Sequence, residues 1–553
     1  MNNPDNNEKN LNLLQERKIL VKNLFYSYLK SYSMYLFSII TSFLLARLVS
    51  PQSWGLLIVS LSFISIISLI ISFLPPGLVA TLLYYIPRHI VAKEKSKLKS
   101  IIKHAFIQKI LFVLPFFIIF IFFLLFLPGL FSFLFKGHIN LLFILSPLLI
   151  ITSLDQLLNG INLGFNLFKT VYILSLIKDM FYIFALIFLH LFIDVVDIAI
   201  VAIFVMLSYV IPFLINCYIN LANFMKISSD KPHESYKEFY QKVLNYGTYV
   251  AIGDLGYNLW NQVKTQSIGI FEGYSSVTGY NISDHYASVP RIVVQSKGPS
   301  LSVAFTRLDK SKNYDQMKKI FNTFFYYGLF LFLLVNGVFY LSTDFFITIV
   351  YTESYLQYSN ILKLMLISLI FYVLGGEFQT LLLATNKVKF IPKLRLIALL
   401  INIPLFFIGL GYYGIYGALI GIFSSNLIVF FIIVVYCYKM FNMKLDLKKI
   451  TLLYSSYLIS LIASIYLEHF IFYDLRLTIL NNLNLLIFKH LPILSIIIFL
   501  VIYMTMNILL KVFSYQDLIY IEEMFNKENR LHTLIRRILN FFKRILYRND
   551  KKA

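Results

Sequence analysis

Residues 245–305 read NYGTYVAIGDLGYNLWNQVKTQSIGIFEGYSSVTGYNISDHYASVPRIVVQSKGPSLSVAF and predict two long helices joined at Glu272-Gly273-Tyr274. Each helix is long enough to cross a bilayer, yet each carries a stripe of polar side chains at helical spacing. The stripes comprise Asp254, Asn258, Asn261 and Thr265 in the first helix, and Asn281, Asp284, Ser288, Arg291, Gln295 and Ser302 in the second. Because lipid does not tolerate such side chains, we predict that the two helices line a water-filled cavity.

Depth supports this prediction. At about 1.5 Å per residue, Asp254 lies roughly 13 Å above the start of its helix. Arg291 lies roughly 18 Å below the start of its own helix. Both charges therefore fall near the middle of a hydrocarbon core of about 30 Å. A charge at that depth costs at least about 2.5 kcal/mol, which favours a bundle interior or a wet cleft. A buried ion pair between Asp254 and Arg291 that only fixes helix register is the open alternative.

The composition predicts a polytopic, all-α integral membrane protein. Of the 553 residues, 59% are hydrophobic and only 14% are charged, which is too apolar for a soluble chain of this size. About fourteen transmembrane helices are predicted, at residues 25–48, 55–86, 105–127, 140–161, 171–191, 197–222, 243–270, 276–305, 321–343, 358–384, 390–410, 413–437, 450–467 and 490–510.

The Lys and Arg residues predict the orientation. With the N-terminus cytoplasmic, 38 of the 49 fall in cytoplasmic segments and only Lys136, Arg476 and Lys489 fall in exported loops. Both termini are therefore predicted to be cytoplasmic, in the cell membrane. The net charge of +22 then faces an anionic inner leaflet and implies no nucleic-acid partner. Both cysteines lie inside spans, so no disulfide scaffold and no thiolate metal site is expected.

An internal repeat of about 220 residues predicts two pseudo-symmetric six-helix halves. Asn166-Leu167-Phe168-Lys169 aligns with Asn386-Lys387-Val388-Lys389, and Cys217-Tyr218 with Cys437-Tyr438, both at an offset of 220. Halves of six spans enter the membrane in the same sense, as in transporters that rock one half against the other. The predicted segments are a cytoplasmic N-terminal segment 1–24, halves at 25–222 and 243–440, a linker at 223–242, an extra helix pair at 450–510 and a basic amphipathic cytoplasmic tail at 511–553.

Three local features accompany the repeat. The first span carries a further polar stripe that includes Lys30, and Pro75-Pro76-Gly77 predicts an interruption of the second span. Lys178 and Asp179 are adjacent in the fifth span. Since neighbouring helical residues point about 100° apart, we expect that these two side chains do not pair with each other and that one of them reaches the bundle interior.

Two short segments carry a resemblance to a known family. Residues 46–55, ARLVSPQSWG, look like the turn ARLLGPxxYG, although Ser50-Pro51 replaces the usual Gly-Pro; residues 271–280, FEGYSSVTGY, are similar to FxGxxxVGxY. Asp254 also sits where many members have an acidic residue. Over residues 20–510, the chain resembles the polysaccharide and lipid-linked oligosaccharide flippases of the multidrug/oligosaccharidyl-lipid/polysaccharide exporter superfamily.

The resemblance implies a function and a site. It implies alternating access that moves a polyprenyl-pyrophosphate-linked oligosaccharide from the inner to the outer leaflet, with cations lining the cleft between spans one, two, seven and eight. The matching cations here are Lys30, Arg88, Arg291 and Lys297. The predicted substrate-binding residues are Lys30, Asp254, Asn258, Asn261, Lys264, Asp284, Arg291, Gln295 and Lys297, with Tyr257, Trp260, Tyr280 and Tyr286 as aromatic contacts for sugar. Asp254 and Asp284 are candidates for coupling to H⁺ or Na⁺.

Two alternative functions stay open from the sequence alone. A drug or small-molecule antiporter of the same fold would have an acidic, aromatic cleft in place of a cationic one. An integral-membrane glycosyltransferase or polymerase would carry catalytic residues on large exported loops, but the longest such loop here is about twenty residues. No GxxxxGK[ST] loop occurs, so ATP is not the expected energy source, and neither a catalytic residue nor a cofactor is predicted. The expected partners are the polyprenyl-linked glycan, membrane lipids and polysaccharide-assembly proteins.

Overall fold

The computed structural model describes most of the chain. The described residues are 25–26, 29–30, 32–74, 77–135, 138–193, 196–227, 235–243, 248–295, 305, 314–385, 390–443, 445–446, 447–470, 492–510 and 512. Within these ranges the secondary structure is helical and contains no strand, which confirms the predicted all-α class. The N-terminal segment 1–24, Lys297 and nearly all of the tail 511–553 lie outside the described residues.

The helices follow the predicted spans closely. In chain order they are α1 Tyr32–Leu48, α2 Pro51–Phe73, α3 Leu78–Val91, α4 Lys95–Phe126, α5 Gly129–Phe135, α6 Ile139–Leu145, α7 Leu148–Gly164, α8 Phe168–Phe192, α9 Ile198–Met225 and α10 Tyr236–Lys242. They continue as α11 Thr248–Glu272, α12 Tyr274–Gln295, α13 Tyr314–Leu341, α14 Thr343–Val350, the 3₁₀ helix Glu353–Tyr358, α15 Ser359–Ser368, α16 Val373–Ala384, α17 Phe390–Phe441, α18 Leu447–Phe470 and α19 Ile493–Leu509.

Eight helices of the described chain are long and apolar enough to cross a membrane. The chain is therefore a multi-pass membrane protein, as predicted. Each predicted span overlaps at least one of the helices above, whereas the total of fourteen crossings stays a prediction. α11 and α12 are not among the eight, because their polar stripes lower their hydropathy.

The second predicted span is interrupted where its prolines lie. α2 ends at Phe73, and Gly77 adopts a left-handed conformation with φ +70° before α3 begins. Pro75 has no N–H to donate to the carbonyl of Ile71, four residues earlier. That carbonyl instead accepts the N–H of Leu74 at 3.1 Å and the buried ammonium of Lys109, from α4, at 3.4 Å. The predicted break is confirmed.

The eleventh and twelfth predicted spans form one run of helix with a break inside it. Within α17, Tyr413 and Gly414 leave the helical conformation, and Gly414 has φ +59°. An ideal Cβ on Gly414 would lie 2.4 Å from a carboxylate oxygen of Glu272, at the end of α11. The positive φ therefore favours glycine here, whereas the Glu272 carboxylate is the end of a flexible side chain and could move aside.

The described residues divide into two compact units. The first comprises Met1–His285, Ile391–Ile403 and Phe407–Ala418; the second comprises Tyr286–Phe390, Pro404–Phe406 and Leu419–Ala553. The domain boundaries predicted from the repeat stay a prediction.

The first unit has a core between α3, α4, α7 and α10. Ile86, Ile101, Leu157 and Phe239 are completely buried in it. α3 and α7 approach closely because α7 carries glycine where they meet: an ideal Cβ on Gly160 would lie 2.9 Å from the side chain of Val79. Burial of such side chains is the main stabilising contribution between packed helices in this unit.

In the second unit, α18 and α19 pack together and against α13. Tyr457 of α18 donates a hydrogen bond of 2.8 Å to Asn336 of α13. Tyr503 of α19 donates to the carbonyl of Phe330 at 3.2 Å and stacks on the Phe499 ring. Buried tyrosines of α18 and α19 thus hydrogen-bond this helix pair to α13. Buried hydroxyls of this kind need partners because hydrocarbon offers none.

Candidate functional site

α11 carries the first polar stripe, and one of its faces packs on α2. Gln266 donates a hydrogen bond of 2.7 Å from its side chain to the carbonyl of Val59. Ser62 of α2 donates to the carbonyl of Gln262 at 3.1 Å. Side-chain hydrogen bonds thus hold the two helices together. Contact between apolar surfaces alone would stabilise their association only weakly, because the surrounding lipid is equally apolar.

A second face of α11 packs on the first part of α17. The indole N–H of Trp260 donates to Asn402 at 2.8 Å, and its ring centroid lies 6.0 Å from that of Phe407. Gly256 meets the side chain of Leu399. At 100° per residue, Gly256 and Trp260 lie on the side of α11 opposite the polar stripe. The stripe lies next to the side of α11 that faces α2.

The stripe itself lies on the remaining face. Asn258 is exposed, and Asn261 and Thr265 are half-buried. Lys264, also half-buried, lies to one side of the stripe. Thr265 donates to the carbonyl of Asn261 at 3.3 Å within the helix. Asp254 is helical, but its side chain lies outside the described part of the chain. The amides of Asn258 and Asn261 therefore lie on a different face of α11 from the contacts that Gln266 makes with α2 and Trp260 makes with α17.

The two segments that carry the family resemblance contact each other. Ser50 caps the start of α2 by accepting the N–H of Ser53, and Pro51 occupies its first turn. Thr278 of α12 donates to the carbonyl of Pro51 at 2.6 Å. An ideal Cβ on Gly55 would lie 1.8 Å from the carbonyl oxygen of Tyr274, so only glycine fits there.

α12 also contacts α1, through a residue that the sequence analysis missed. The Oγ of Ser38 and the Nδ1 of His285 are 2.5 Å apart. His285 is half-buried and follows the predicted site residue Asp284. It lies seven residues after Thr278, so both side chains share one face of α12. That spacing is the signal that could have found it. Ser38 of the first predicted span therefore contacts a side chain of the eighth.

Other residues of the second stripe are placed less completely. Asp284 is half-buried in the first unit. Ser288 and Arg291 are half-buried in the second unit. Gln295 is helical with its side chain outside the described part. The choice between a cavity role and an ion pair for Asp254 and Arg291 thus stays open.

The predicted aromatic contacts differ in exposure. Tyr257 is 45% exposed on α11. Tyr280 is buried, as is Tyr286, whose hydroxyl donates to the carbonyl of Phe339 at 2.7 Å. Trp260 is also buried, against α17. Only Tyr257 among the four offers its ring to a ligand in this conformation.

Three of the predicted charged residues are placed in the first unit. Lys30 is helical and half-buried, just before α1. Lys178 and Asp179 pair with each other, with 3.3 Å between Nζ and Oδ1. Our expectation that they would not pair was wrong, because the four-carbon stem of lysine bends across the 100° between adjacent residues.

An asparagine network holds Asp155. Asn159 donates to its Oδ2 and Asn216 to its Oδ1, each at 2.7 Å. Asn162 and Asn220 then donate to the Oδ1 of Asn216 at 2.7 Å and 2.9 Å. The network joins α7 and α9 in the interior of the first unit. No group of three or more His, Cys, Asp or Glu side chains that could hold a metal ion occurs among the described residues.

Comparison with known proteins now decides the family. Residues 20–305 match the family model described as polysaccharide biosynthesis protein. This chain belongs to the polysaccharide biosynthesis protein family. No curated protein matches it.

The chain shares its fold with solved transporters. Lipid II flippase MurJ, in an inward closed conformation, is 16% identical, with a TM-score of 0.63 over 88% of this chain and 98% of that one. A multidrug resistance MATE family transporter of the MOP superfamily, inward-facing, is 14% identical, with a TM-score of 0.61 over 74% and 94%. A MOP superfamily transporter from Pyrococcus furiosus is 14% identical, with a TM-score of 0.51 over 77% and 96%. The predicted resemblance to this superfamily is confirmed, and at such identities the likeness shows the fold alone.

Proposed function

We propose that this protein flips a polyprenyl-pyrophosphate-linked oligosaccharide from the inner to the outer leaflet of the cell membrane by alternating access. Membership of the polysaccharide biosynthesis family, on the fold of MOP superfamily transporters, is the observation that carries the proposal. Both termini are cytoplasmic in this proposal. The polyprenyl tail stays in lipid while the pyrophosphate and sugar cross about 30 Å of hydrocarbon. No bond is made or broken, so the protein acts as a transporter and not as an enzyme.

The polar side chains of the candidate site match such a substrate. Lys30, Lys264 and Arg291 are half-buried cations on the helices that carry the stripes. Charge-assisted hydrogen bonds from cations of this kind are the strong contacts that proteins make with phosphate. Asn258 and Asn261 offer amide donors and acceptors, and Tyr257 offers an exposed ring, which suit a sugar. The proposed lining of the substrate cleft also includes Lys297, Gln295 and Asp254.

Alternating access requires contacts that hold one side closed and then separate. We propose that the α2 contacts with α11 and α12, at Val59, Ser62 and Gly55, perform this role at the exported side. Asp254 and Asp284 are the proposed groups for coupling to H⁺ or Na⁺. Membrane lipids and polysaccharide-assembly proteins are the proposed partners.

A reconstituted flipping assay tests the proposal. The probe is a polyprenyl-pyrophosphate disaccharide with a fluorophore on the sugar, and a membrane-impermeant quencher reports the fraction in the outer leaflet of proteoliposomes. We expect the purified protein to move the probe from the inner to the outer leaflet much faster than protein-free vesicles do. Absence of probe movement, with uptake of a cationic drug into the same vesicles, would instead identify a drug antiporter.

A further inference from the structure

At one end of the first unit, lysines continue a row of exposed apolar side chains on α4. Ile107, Leu114 and Ile118 are exposed on the outside of the helical bundle, where their only suitable neighbours are acyl chains. At 100° per residue, Lys103 shares this side of the helix, and Lys99 lies one turn before Lys103. The lysines therefore follow directly on a lipid-facing surface.

The length of α4 places Lys103 at the level of lipid head groups. From Lys103 to its last residue, Phe126, the helix rises by about 35 Å. A hydrocarbon core of about 30 Å takes up most of that length. Lys103 therefore lies near the boundary between acyl chains and head groups, where a lysine stem runs along apolar surface and its ammonium reaches the polar region. In the proposed orientation this boundary belongs to the inner leaflet.

α9 ends beside these lysines with an exposed apolar row of its own. Leu221 and Met225 are exposed and lie one turn apart on the same side of α9. Lys226 follows directly and is also exposed. Lys99 of α4 lies over the Phe224 ring of α9, with 5.8 Å between Nζ and the ring centroid. α4 and α9 therefore each bring an apolar surface that ends in lysine to the same place.

α10 extends this surface at the same level. Its Phe239 is completely buried, with 5.9 Å between its ring centroid and that of His104 on α4. Tyr236 lies 5.6 Å from the same His104 ring, and both Tyr236 and Tyr240 are exposed, as is Lys237. Tyrosine is enriched at the head-group level of membranes, because its ring is apolar and its hydroxyl is polar. The contacts of α10 with His104 thus place two such tyrosines next to the α4 lysines.

The charge at this end of the unit is strongly positive. Eight lysines and two glutamates lie within residues 92–104, 224–227 and 235–243. One of the two glutamates, Glu94, already pairs with His89 at 2.7 Å and with Lys97 at 2.8 Å. The excess of lysine at the head-group level complements an anionic lipid.

We propose that Lys99, Lys103 and Lys226, called the lysine cluster below, bind the head-group phosphate of an anionic phospholipid whose acyl chains lie on α4 and α9. The two apolar rows match the two acyl chains of a phospholipid, whereas a polyprenyl carrier has a single chain. A lipid held in this way bridges α4 to α9 and stabilises the first unit. This lipid stays bound and is distinct from the transported one, so the inference goes beyond the proposed function and uses only its orientation, to assign the leaflet.

Thermal stability in defined lipids tests the proposal first. The full-length protein in detergent is mixed with dioleoyl phosphatidylglycerol, which is anionic, or with dioleoyl phosphatidylcholine, which has no net charge. We expect the anionic lipid to raise the melting temperature by about 2 °C or more beyond the effect of the neutral lipid. This excess should disappear when the lysine cluster is replaced, in the triple variant Lys99→Gln, Lys103→Gln, Lys226→Gln.

Two control variants separate a site from net charge. The first removes the same charge from exposed lysines elsewhere and should keep the excess; it carries Lys393→Gln, Lys439→Gln and Lys448→Gln. The second places arginine at all three positions of the lysine cluster and should also keep the excess, because the positive charge is retained. An undiminished excess in the glutamine variant of the cluster would overturn the proposal. Loss of the excess in the first control as well would overturn it too, since net charge alone would then explain the effect.

Photo-crosslinking locates the bound lipid. A phosphatidylglycerol with a diazirine in one acyl chain is irradiated with the full-length protein in phosphatidylcholine vesicles, and labelled peptides are identified by mass spectrometry. We expect labelling within residues 107–118 of α4 and 214–225 of α9, reduced by about fivefold or more in the glutamine variant of the lysine cluster. Labelling confined to other helices would overturn the proposal.

A competitor distinguishes the two possible sources of the phosphate. Excess unlabelled phosphatidylglycerol should suppress the labelling, and an equal amount of a polyprenyl pyrophosphate should leave it unchanged. Suppression by the polyprenyl pyrophosphate alone would assign the surface to the transported lipid and overturn the proposal. None of these measurements depends on transport, so a failure of the proposed function in the flipping assay leaves their outcome independent.

Discussion

The Ser38 hydroxyl and the His285 ring nitrogen Nδ1 lie 2.5 Å apart and join α1 to α12 across 247 positions of sequence. Both residues belong to helices that carry predicted polar side chains. The contact therefore places α1 beside the part of α12 that belongs to the first unit.

This contact should influence transport. A single hydrogen bond contributes about 0.5–1.5 kcal/mol, so Ser38→Ala and His285→Ala should each slow flipping by roughly twofold to tenfold. The double variant should be no slower than the worse single variant, because both changes remove the same interaction. Thr41→Val is the matched control, since that hydroxyl donates to Ser38 O within its own helix. Fully additive losses in the flipping assay would show that the contact is not the shared cause.

The α2 contact with α11 should open during transport. In a Cys217→Ala, Cys437→Ala background, Ser62→Cys with Gln262→Cys places two thiols where the Ser62 hydroxyl now meets the Gln262 backbone at 3.1 Å. We expect oxidation to cross-link the pair and stop flipping, and reduction to restore it. Full activity of the cross-linked protein would mean that α2 and α11 do not separate in the cycle.

Gly55 should be indispensable for packing. An added methyl would collide with the Tyr274 carbonyl, so Gly55→Ala must push α2 and α12 apart, and strain of that kind typically costs about 1–3 kcal/mol. We expect a lower melting temperature of the detergent-purified protein, by several degrees. Gly129→Ala, where nothing lies within 4 Å of the new Cβ, should melt like the wild type. Equal melting of both variants would refute the close approach.

The proposed orientation can be tested by reporter fusions. Fusions at Ser275 and Thr352 should report the exported side and a fusion at Lys312 the cytoplasm, because Lys and Arg collect in the cytoplasmic loops. A cytoplasmic reporter at Ser275 would overturn the orientation and the proposed cavity together.

Helix positions were largely predictable, because long apolar runs leave few alternatives in a membrane. The break at Pro75-Pro76 followed from the missing N–H of proline. The start of α4 at Lys95 was not predicted. Hydropathy locates apolar runs, and charged residues such as Lys97 and Lys99 belong to none. The break at Tyr413 and Gly414 fell where two spans had been separated by only a few residues.

The candidate site was predicted less completely. Periodicity placed Asn258 and Asn261 on one face of α11, and the use of that face as a cavity wall stays a prediction. His285 was overlooked because its importance depends on Ser38, and no local pattern reveals which distant helix lies alongside. The pairing of Lys178 with Asp179 was wrongly dismissed because Cβ directions were considered without the flexibility of the lysine stem. The hydrogen bond from Asn216 to Asp155 could not be predicted either, because no local pattern reveals that α9 lies beside α7.

In the proposed function, cations deep in the membrane bind the pyrophosphate of a lipid-linked sugar. Substitution of Arg291 tests this binding most directly. A charge-assisted contact between arginine and phosphate is worth about 1.5–3 kcal/mol, so Arg291→Ala should slow flipping by roughly tenfold to a hundredfold. Arg291→Lys should recover only part of the rate, because the planar fork that holds two oxygens is lost. Membrane abundance, measured alongside, controls for folding.

The decisive measurement is the flipping rate of the fluorescent pyrophosphate-linked probe by the double variant Arg291→Ala with Asp254→Ala. If Arg291 binds substrate, the double variant should be as slow as Arg291→Ala or slower, at normal membrane abundance. If Arg291 only balances Asp254, removing both charges should restore transport toward the wild-type rate. Such a recovery would contradict the proposed binding of the pyrophosphate by Arg291.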